Sequence, residues 1–240
     1  MLSPINIPGL FITGTDTGVG KTLIAAAIAD FFRRRGARVG VCKVAATGCV
    51  KRREGLVSED AEFLAHAADS SFPLDVICPQ RYAEPLAPAV AAERAKQPLE
   101  WASIQRSLDM IAAGSDLLIV EGVGGLMVPM DKQSTVLDVA RWLDLPTVIV
   151  ARPALGTINH TLLTVNALRA AKVPVVGVVI NRYPAENPDT AEETNPRAIE
   201  RWGKVNVLCL TPDEAFKAPN IPDGVVAAID AVDWGRLASE

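Results

Sequence analysis

Gly14-Thr15-Asp16-Thr17-Gly18-Val19-Gly20-Lys21-Thr22 is the stretch whose reading decides the fold. It follows the apolar run Gly9-Leu10-Phe11-Ile12-Thr13 and opens onto Leu23-Ile24-Ala25-Ala26-Ala27-Ile28-Ala29. The apolar run predicts a buried strand, the alanine-rich run a helix, and the glycines between them a tight loop. Such a loop aims consecutive backbone N–H groups and the positive end of a helix dipole at one spot, which suits a polyphosphate. Gly18, Val19 and Gly20 supply that backbone. Lys21 can reach β- and γ-phosphates, and the Thr22 hydroxyl can join a Mg²⁺ shell. Counted back from Gly20, the first glycine of the usual pattern falls on Thr15, and Gly14 stands one residue early.

Composition narrows the class. The chain has 240 residues, 49% of them hydrophobic, which excludes disorder and suits one large core. A net charge of −4 argues against nucleic acid as a partner. The basic groups Arg33-Arg34-Arg35 and Lys51-Arg52-Arg53 are local, and the first suits the end of a helix. Every long apolar run is broken by Gly, Pro or charge, so no membrane span is expected. The opening residues Met1 to Asn6 lack a basic signal region. Cys42, Cys49, Cys78 and Cys209 have no close metal-site spacing and read as reduced thiols, and His66 and His160 stand too far apart to suggest a metal pair. The expectation is a cytoplasmic α/β protein without a membrane or nucleic-acid partner.

Taken in order, the first helix is predicted over residues 20–35, with Gly36 as its stop. Arg38 to Lys43 reads as a second buried strand ending in Lys43 and then Val44-Ala45-Ala46-Thr47-Gly48. Parallel α/β sheets place ligands at that edge, so Lys43 is either a phosphate- or substrate-facing cation or a solvated strand end. Residues 48–57 read as a polar, basic loop. Ser58 is a credible N-cap for the next helix, with Glu59 and Asp60 in its first turn. Either acid complements the dipole or faces the phosphate loop. Prolines from Pro73 to Pro98 allow only a short helix, near residues 87–95. A helix over 99–113 follows, with Trp101, Ile104, Leu108 and Ile111 on one face.

Leu117-Leu118-Ile119-Val120 is an apolar run flanked by acids, which predicts a buried parallel strand. It ends in Glu121, then Gly122-Val123-Gly124-Gly125, so a carboxylate stands at the strand's edge beside glycines such as Gly124 that let backbone approach a ligand. If this strand neighbours the first, Glu121 is placed as a second Mg²⁺-facing acid. A helix over 134–143 and a strand over 145–151 follow. Leu155-Gly156-Thr157-Ile158-Asn159-His160 then begins a helix ending near Ala171, another anion-ready N-terminus. Residues 173–180 predict a strand ending in Asn181-Arg182. Residues 185–195 read as an acidic loop, followed by a helix over 196–202. A last strand over 205–210 precedes a proline-bearing tail with a short helix near 225–230. No linker or repeat interrupts the chain, so one domain spans residues 1–240. The predicted class is α/β and P-loop NTPase-like, with a mostly parallel central sheet and helices on both faces.

Together these segments resemble the dethiobiotin synthetases. The match is carried by Gly14 to Thr22, Lys43 with Thr47-Gly48, Ser58 to Ala61, Val120-Glu121-Gly122 with Gly124-Gly125, Leu155 to His160, and Asn181-Arg182. The resemblance implies an ATP- and Mg²⁺-dependent cyclo-ligase of biotin biosynthesis. In that family 7,8-diaminopelargonate reacts with CO₂ to a carbamate, which attacks the γ-phosphate of ATP. The second amine then closes the mixed anhydride to dethiobiotin, releasing ADP and phosphate. The implied roles follow residue by residue. Lys21 and Lys43 are catalytic, and Thr22, Asp60 and Glu121 hold Mg²⁺, which favours Asp60 over Glu59. Thr17 and Thr47 meet the substrate, and Asn181 reads adenine with help from Pro212, Asp213 and Glu214. Leu155, Gly156, Thr157 and Asn159 match the segment that binds the substrate carboxylate of a partner subunit, which implies a homodimer. Family members often carry proline where this chain has Val44, and serine where it has Thr47. The competing class is a partitioning-type switch ATPase, but those proteins carry an extra lysine at the position of Asp16.

Overall fold

The computed structural model describes residues 1–53 and 55–239. At its centre is β1 (Gly9–Gly14), every residue of which is buried. Leu10 and Ile12 enter one core and Phe11 the other, because successive side chains of a strand point to opposite faces. On one face lie α1 (Lys21–Arg33), α2 (Glu59–Ala68) and α9 (Asp223–Asp230). On the other lie α5 (Trp101–Ala113), α6 (Val136–Leu143), α7 (Thr157–Ala170) and α8 (Thr190–Gly203). Each large aliphatic or aromatic side chain fully buried in these layers contributes about 1.5–3 kcal/mol.

The sheet adds β2 (Val39–Lys43), β5 (Leu117–Gly125), β6 (Thr147–Ala151), β7 (Val175–Tyr183) and β8 (Val207–Pro212), in the order β2-β5-β1-β6-β7-β8. All five pairings are parallel. The strand order reverses around β1, and ligands of such sheets gather beyond the carboxyl ends of strands at that switch point. The phosphate loop, Lys43, Glu121 and Asn181 all lie along that edge. The α/β class, the parallel sheet and helices on both faces are as the sequence predicts.

Four details differ. Residues 48–57 hold a small hairpin, β3 (Val50–Arg52) with β4 (Gly55–Val57), which the exposed, basic sequence did not signal. Arg52 of this hairpin makes a two-pronged ion pair with Glu62 of α2. β5 does not stop at Glu121 but continues to Gly125, where it pairs with Gly14 of β1. β7 likewise runs through Asn181 and Arg182. Residues 190–195 of the acidic stretch are helical, because Asp189 and Glu192 cap the start of α8 reciprocally and the helix runs on through Pro196. Short helices α3 (Leu74–Ile77), α4 (Pro88–Ala95) and α10 (Trp234–Leu237) complete the chain. The core-facing residues of α5 are Ile104, Leu108 and Ile111. Trp101, half-buried, packs at the edge of the same core, where it meets Trp142 edge-on and donates to Asp131. Among the described residues the four cysteines are free, and no helix is long and apolar enough to cross a membrane.

Candidate active site

The carboxyl edge of β1, β2 and β5 gathers four charged side chains. Lys43 and Glu121 are register partners on neighbouring strands, so both side chains reach one point. Lys43 Nζ donates to Glu121 Oε1 at 2.6 Å and lies 2.9 Å from Asp60 Oδ2. Lys43 is therefore a buried bridge between two carboxylates, not a solvated strand end. Asp60 arrives through α2, whose start is set by Ser58 accepting from the Ala61 N–H. Glu59 lines the same cleft but is exposed, and it is Asp60 that joins the cluster through Lys43. From α1, Thr22 Oγ1 donates to Glu121 Oε1 at 2.9 Å. The other carboxylate oxygen, Glu121 Oε2, is buried without a partner.

Lys21 sits at the first turn of α1 with Nζ donating to the backbone oxygen of Asp16 at 2.8 Å. Burial lowers its pKa to about 8, although Glu121 pulls the other way. For Lys43 burial acts in the same downward sense, but the charges of Glu121 and Asp60 outweigh it and hold the ammonium above the ordinary lysine range. Burial raises the Glu121 carboxyl, with Lys43 opposing. Asp60 is held below the usual aspartate range because Lys43 outweighs the cost of burial. Lys43 is thus a fixed cation, while Lys21 is poised near neutrality.

These groups face a cleft of about 390 Å³. Thr17, Gly18, Gly20, Lys21 and Thr22 form its floor, and Lys43, Thr47, Asp60, Glu121 and Gly124 its sides. Asn181 also lines it, but its amide is already engaged. Asn181 Nδ2 donates to the Val19 carbonyl at 2.9 Å, and Oδ1 accepts from Thr211 Oγ1 at 2.7 Å. Val19 contributes that carbonyl while its side chain packs in the core. Pro212, Asp213 and Glu214 do not line the cleft. Pro212 ends β8, Asp213 donates its N–H to Tyr183, and Glu214 accepts from the Gly224 N–H. Leu155, Gly156, Thr157 and Asn159 are also outside it. Gly156 caps α7, Thr157 is fully buried, and Leu155 is 81% exposed. Sequence reasoning missed Phe63, Val123 and Phe216, which line the cleft. No local pattern marks them, because the fold carries them there from α2, β5 and the segment after β8.

Three comparisons bear on this arrangement. A family model described as an AAA domain matches residues 8–216. The chain is 42% identical over 210 residues to the ATP-dependent dethiobiotin synthetase of Thermodesulfovibrio yellowstonii, covering 84% of this chain and 86% of that protein. It is 37% identical over 204 residues to the enzyme of the same name from Bacillus subtilis strain 168, covering 85% and 87%. The chain belongs to the dethiobiotin synthetase family. Among solved structures, this synthetase-family chain is similar to the MinD cell division protein of Aquifex aeolicus, at a TM-score of 0.60 and 16% identity over 97% of this chain and 98% of that one. At that identity the likeness concerns the fold alone.

Proposed function

We infer that the protein is an ATP-dependent cyclo-ligase that joins CO₂ to 7,8-diaminopelargonate and closes the ring of dethiobiotin, with release of ADP and phosphate. The observation that carries this reading is the Lys43–Glu121–Asp60–Thr22 cluster beside the phosphate loop, in a chain so closely related to dethiobiotin synthetases. Phosphoryl transfer asks for positioning and charge stabilisation more than for a protein nucleophile. A carbamate brings its own nucleophilic oxygen. In this reading Lys21 meets the γ-phosphate, and Lys43 balances negative charge on the carbamate and transferred group. Thr17 and Thr47, both lining the cleft, supply hydroxyls for the substrate amines and carbamate.

Thr22, Asp60 and Glu121 offer only oxygen donors, and Glu121 Oε2 lacks any partner, which fits a hard divalent cation. Bound there, Mg²⁺ would neutralise phosphate charge. We assign the protein to the cytoplasm as a homodimer. Leu155, Leu163 and Met127 leave 81%, 61% and 69% of their surfaces exposed, and the last two line a hollow beside Asp16 and Thr17. A second subunit covering that side would bring its own Leu155-Gly156-Thr157 and Asn159 to the substrate carboxylate. Light scattering should then give about twice the 25.5 kDa chain mass, and a monomer mass sinks the shared site.

The deciding assay follows ADP release with and without diaminopelargonate plus bicarbonate. ATP hydrolysis indifferent to substrate would instead favour the switch class. Lys21 sets a pH limit on the same step. A Lys21 pKa of about 8 leaves roughly one molecule in eleven protonated at pH 9. ATP affinity of the free protein is therefore expected to fall about tenfold between pH 7 and 9, read by calorimetry. Lys21→Arg, which cannot lose its proton in this range, should flatten the profile.

A further inference from the structure

Nothing so far accounts for the aromatic wall of the cleft. Phe216 lies on the irregular segment between β8 and α9, belongs to neither core, and is 39% exposed. It lines the cleft with Phe63 of α2, three residues beyond Asp60. The two rings lie 6.0 Å apart in a tilted contact at 30°. Phe63 is buried, so of the pair it is Phe216 that presents apolar surface to the cavity.

A nucleotide whose phosphates occupy the Gly18–Thr22 floor must place its base elsewhere in this cleft. Polar recognition there is limited. Asn181 gives one N–H to Val19 and accepts one bond from Thr211, so one N–H and one Oδ1 lone pair remain for a ligand. Each such bond contributes only about 0.5–1.5 kcal/mol net, so surface contact is left to supply a large share of the base's affinity. We propose that Phe216 is the stacking wall for the nucleotide base, and that it favours purines because a fused ring covers more of it than a pyrimidine does. The proposal rests on the nucleotide reading above and adds the residue that selects the base.

The test measures Kd by calorimetry for ATP, CTP and inorganic tripolyphosphate, each with Mg²⁺. The proteins are wild type, Phe216→Leu, which keeps apolar bulk, and Phe216→Tyr, which keeps the ring. Phe216→Leu is expected to weaken ATP by roughly 5-fold or more, the low end of what a lost base–aromatic stack costs. It should narrow the preference for ATP over CTP and leave tripolyphosphate within about twofold. Phe216→Tyr should bind ATP as wild type does. Unchanged ATP affinity in Phe216→Leu overturns the proposal, as does equal weakening of ATP and tripolyphosphate, which would make Phe216 a support of the phosphate loop. Wild-type protein that binds tripolyphosphate as tightly as ATP overturns the proposal but leaves the phosphate site standing. Wild-type protein that binds neither overturns the nucleotide reading and the proposal together.

Discussion

Replacing Lys43 by alanine should lower turnover at least ~10²–10³-fold, the usual loss when a charge-stabilising donor is removed. Its ammonium lies 2.6 Å from Glu121 and 2.9 Å from Asp60, and neither Lys43 nor Glu121 is solvated. The substitution therefore strands a buried carboxylate as well as removing the cation proposed to act in catalysis. Removing one partner of a buried pair costs about 3–5 kcal/mol, a large share of the 5–15 kcal/mol that typically holds a domain folded. Stability and catalysis can be separated. Adding Glu121→Gln to Lys43→Ala should return part of the lost stability in urea denaturation, because the Glu121 carboxylate no longer stays buried without its cation. It should return none of the activity. Turnover near wild type in Lys43→Ala would sink the site assignment.

Gly20→Ala should abolish tight ATP binding, with affinity lower by two orders of magnitude or more. Two effects combine. The backbone at Gly20 has φ near +97°, where a side chain costs about 1–2 kcal/mol. A Cβ there would also overlap Asn181 Nδ2, the atom that holds the Val19 carbonyl. Asn181 must then leave, and its amide and the Val19 carbonyl lose a buried hydrogen bond, which costs a further ~1–3 kcal/mol. The loop whose N–H groups cradle phosphate no longer has a fixed shape. Gly18 is the internal control. It too has positive φ, near +75°, but a Cβ added there meets nothing within 4 Å. Gly18→Ala should pay the backbone strain alone and lose about tenfold in affinity. Equal effects at the two glycines would show that the Asn181 contact does not hold the loop.

These two positions also mark how far the residues could be read without coordinates. Gly20, Lys21 and Thr22 declare themselves because a phosphate loop is local: strand, turn and helix are contiguous in the chain. Lys43 and Glu121 were legible as strand ends, because apolar runs that finish in charge are rare inside a buried sheet. That they meet depended on β2 and β5 being neighbours in register, which no spacing states. The acid chosen from Glu59 and Asp60 depended on the rotation of α2, fixed by its Ser58 cap and its packing on α1 and β2. The hairpin at 50–57 and the helix running on through Pro196 were illegible for opposite reasons. One lacks apolar alternation, and the other contains a residue that usually breaks helices.

By itself the sequence determined the α/β class, the phosphate loop and the chemistry available to it, since each depends on short stretches with strong local preferences. Only the tertiary structure decided which groups act together. Asn181 is separated from Val19 by 162 residues and from Thr211 by 30, yet it joins the phosphate loop to the last strand. Phe216 reaches the cleft from beyond β8, and Pro212 to Glu214 do not. Such placements follow from strand order and helix packing. These are sums over many weak contacts across the whole core, so no local stretch carries them.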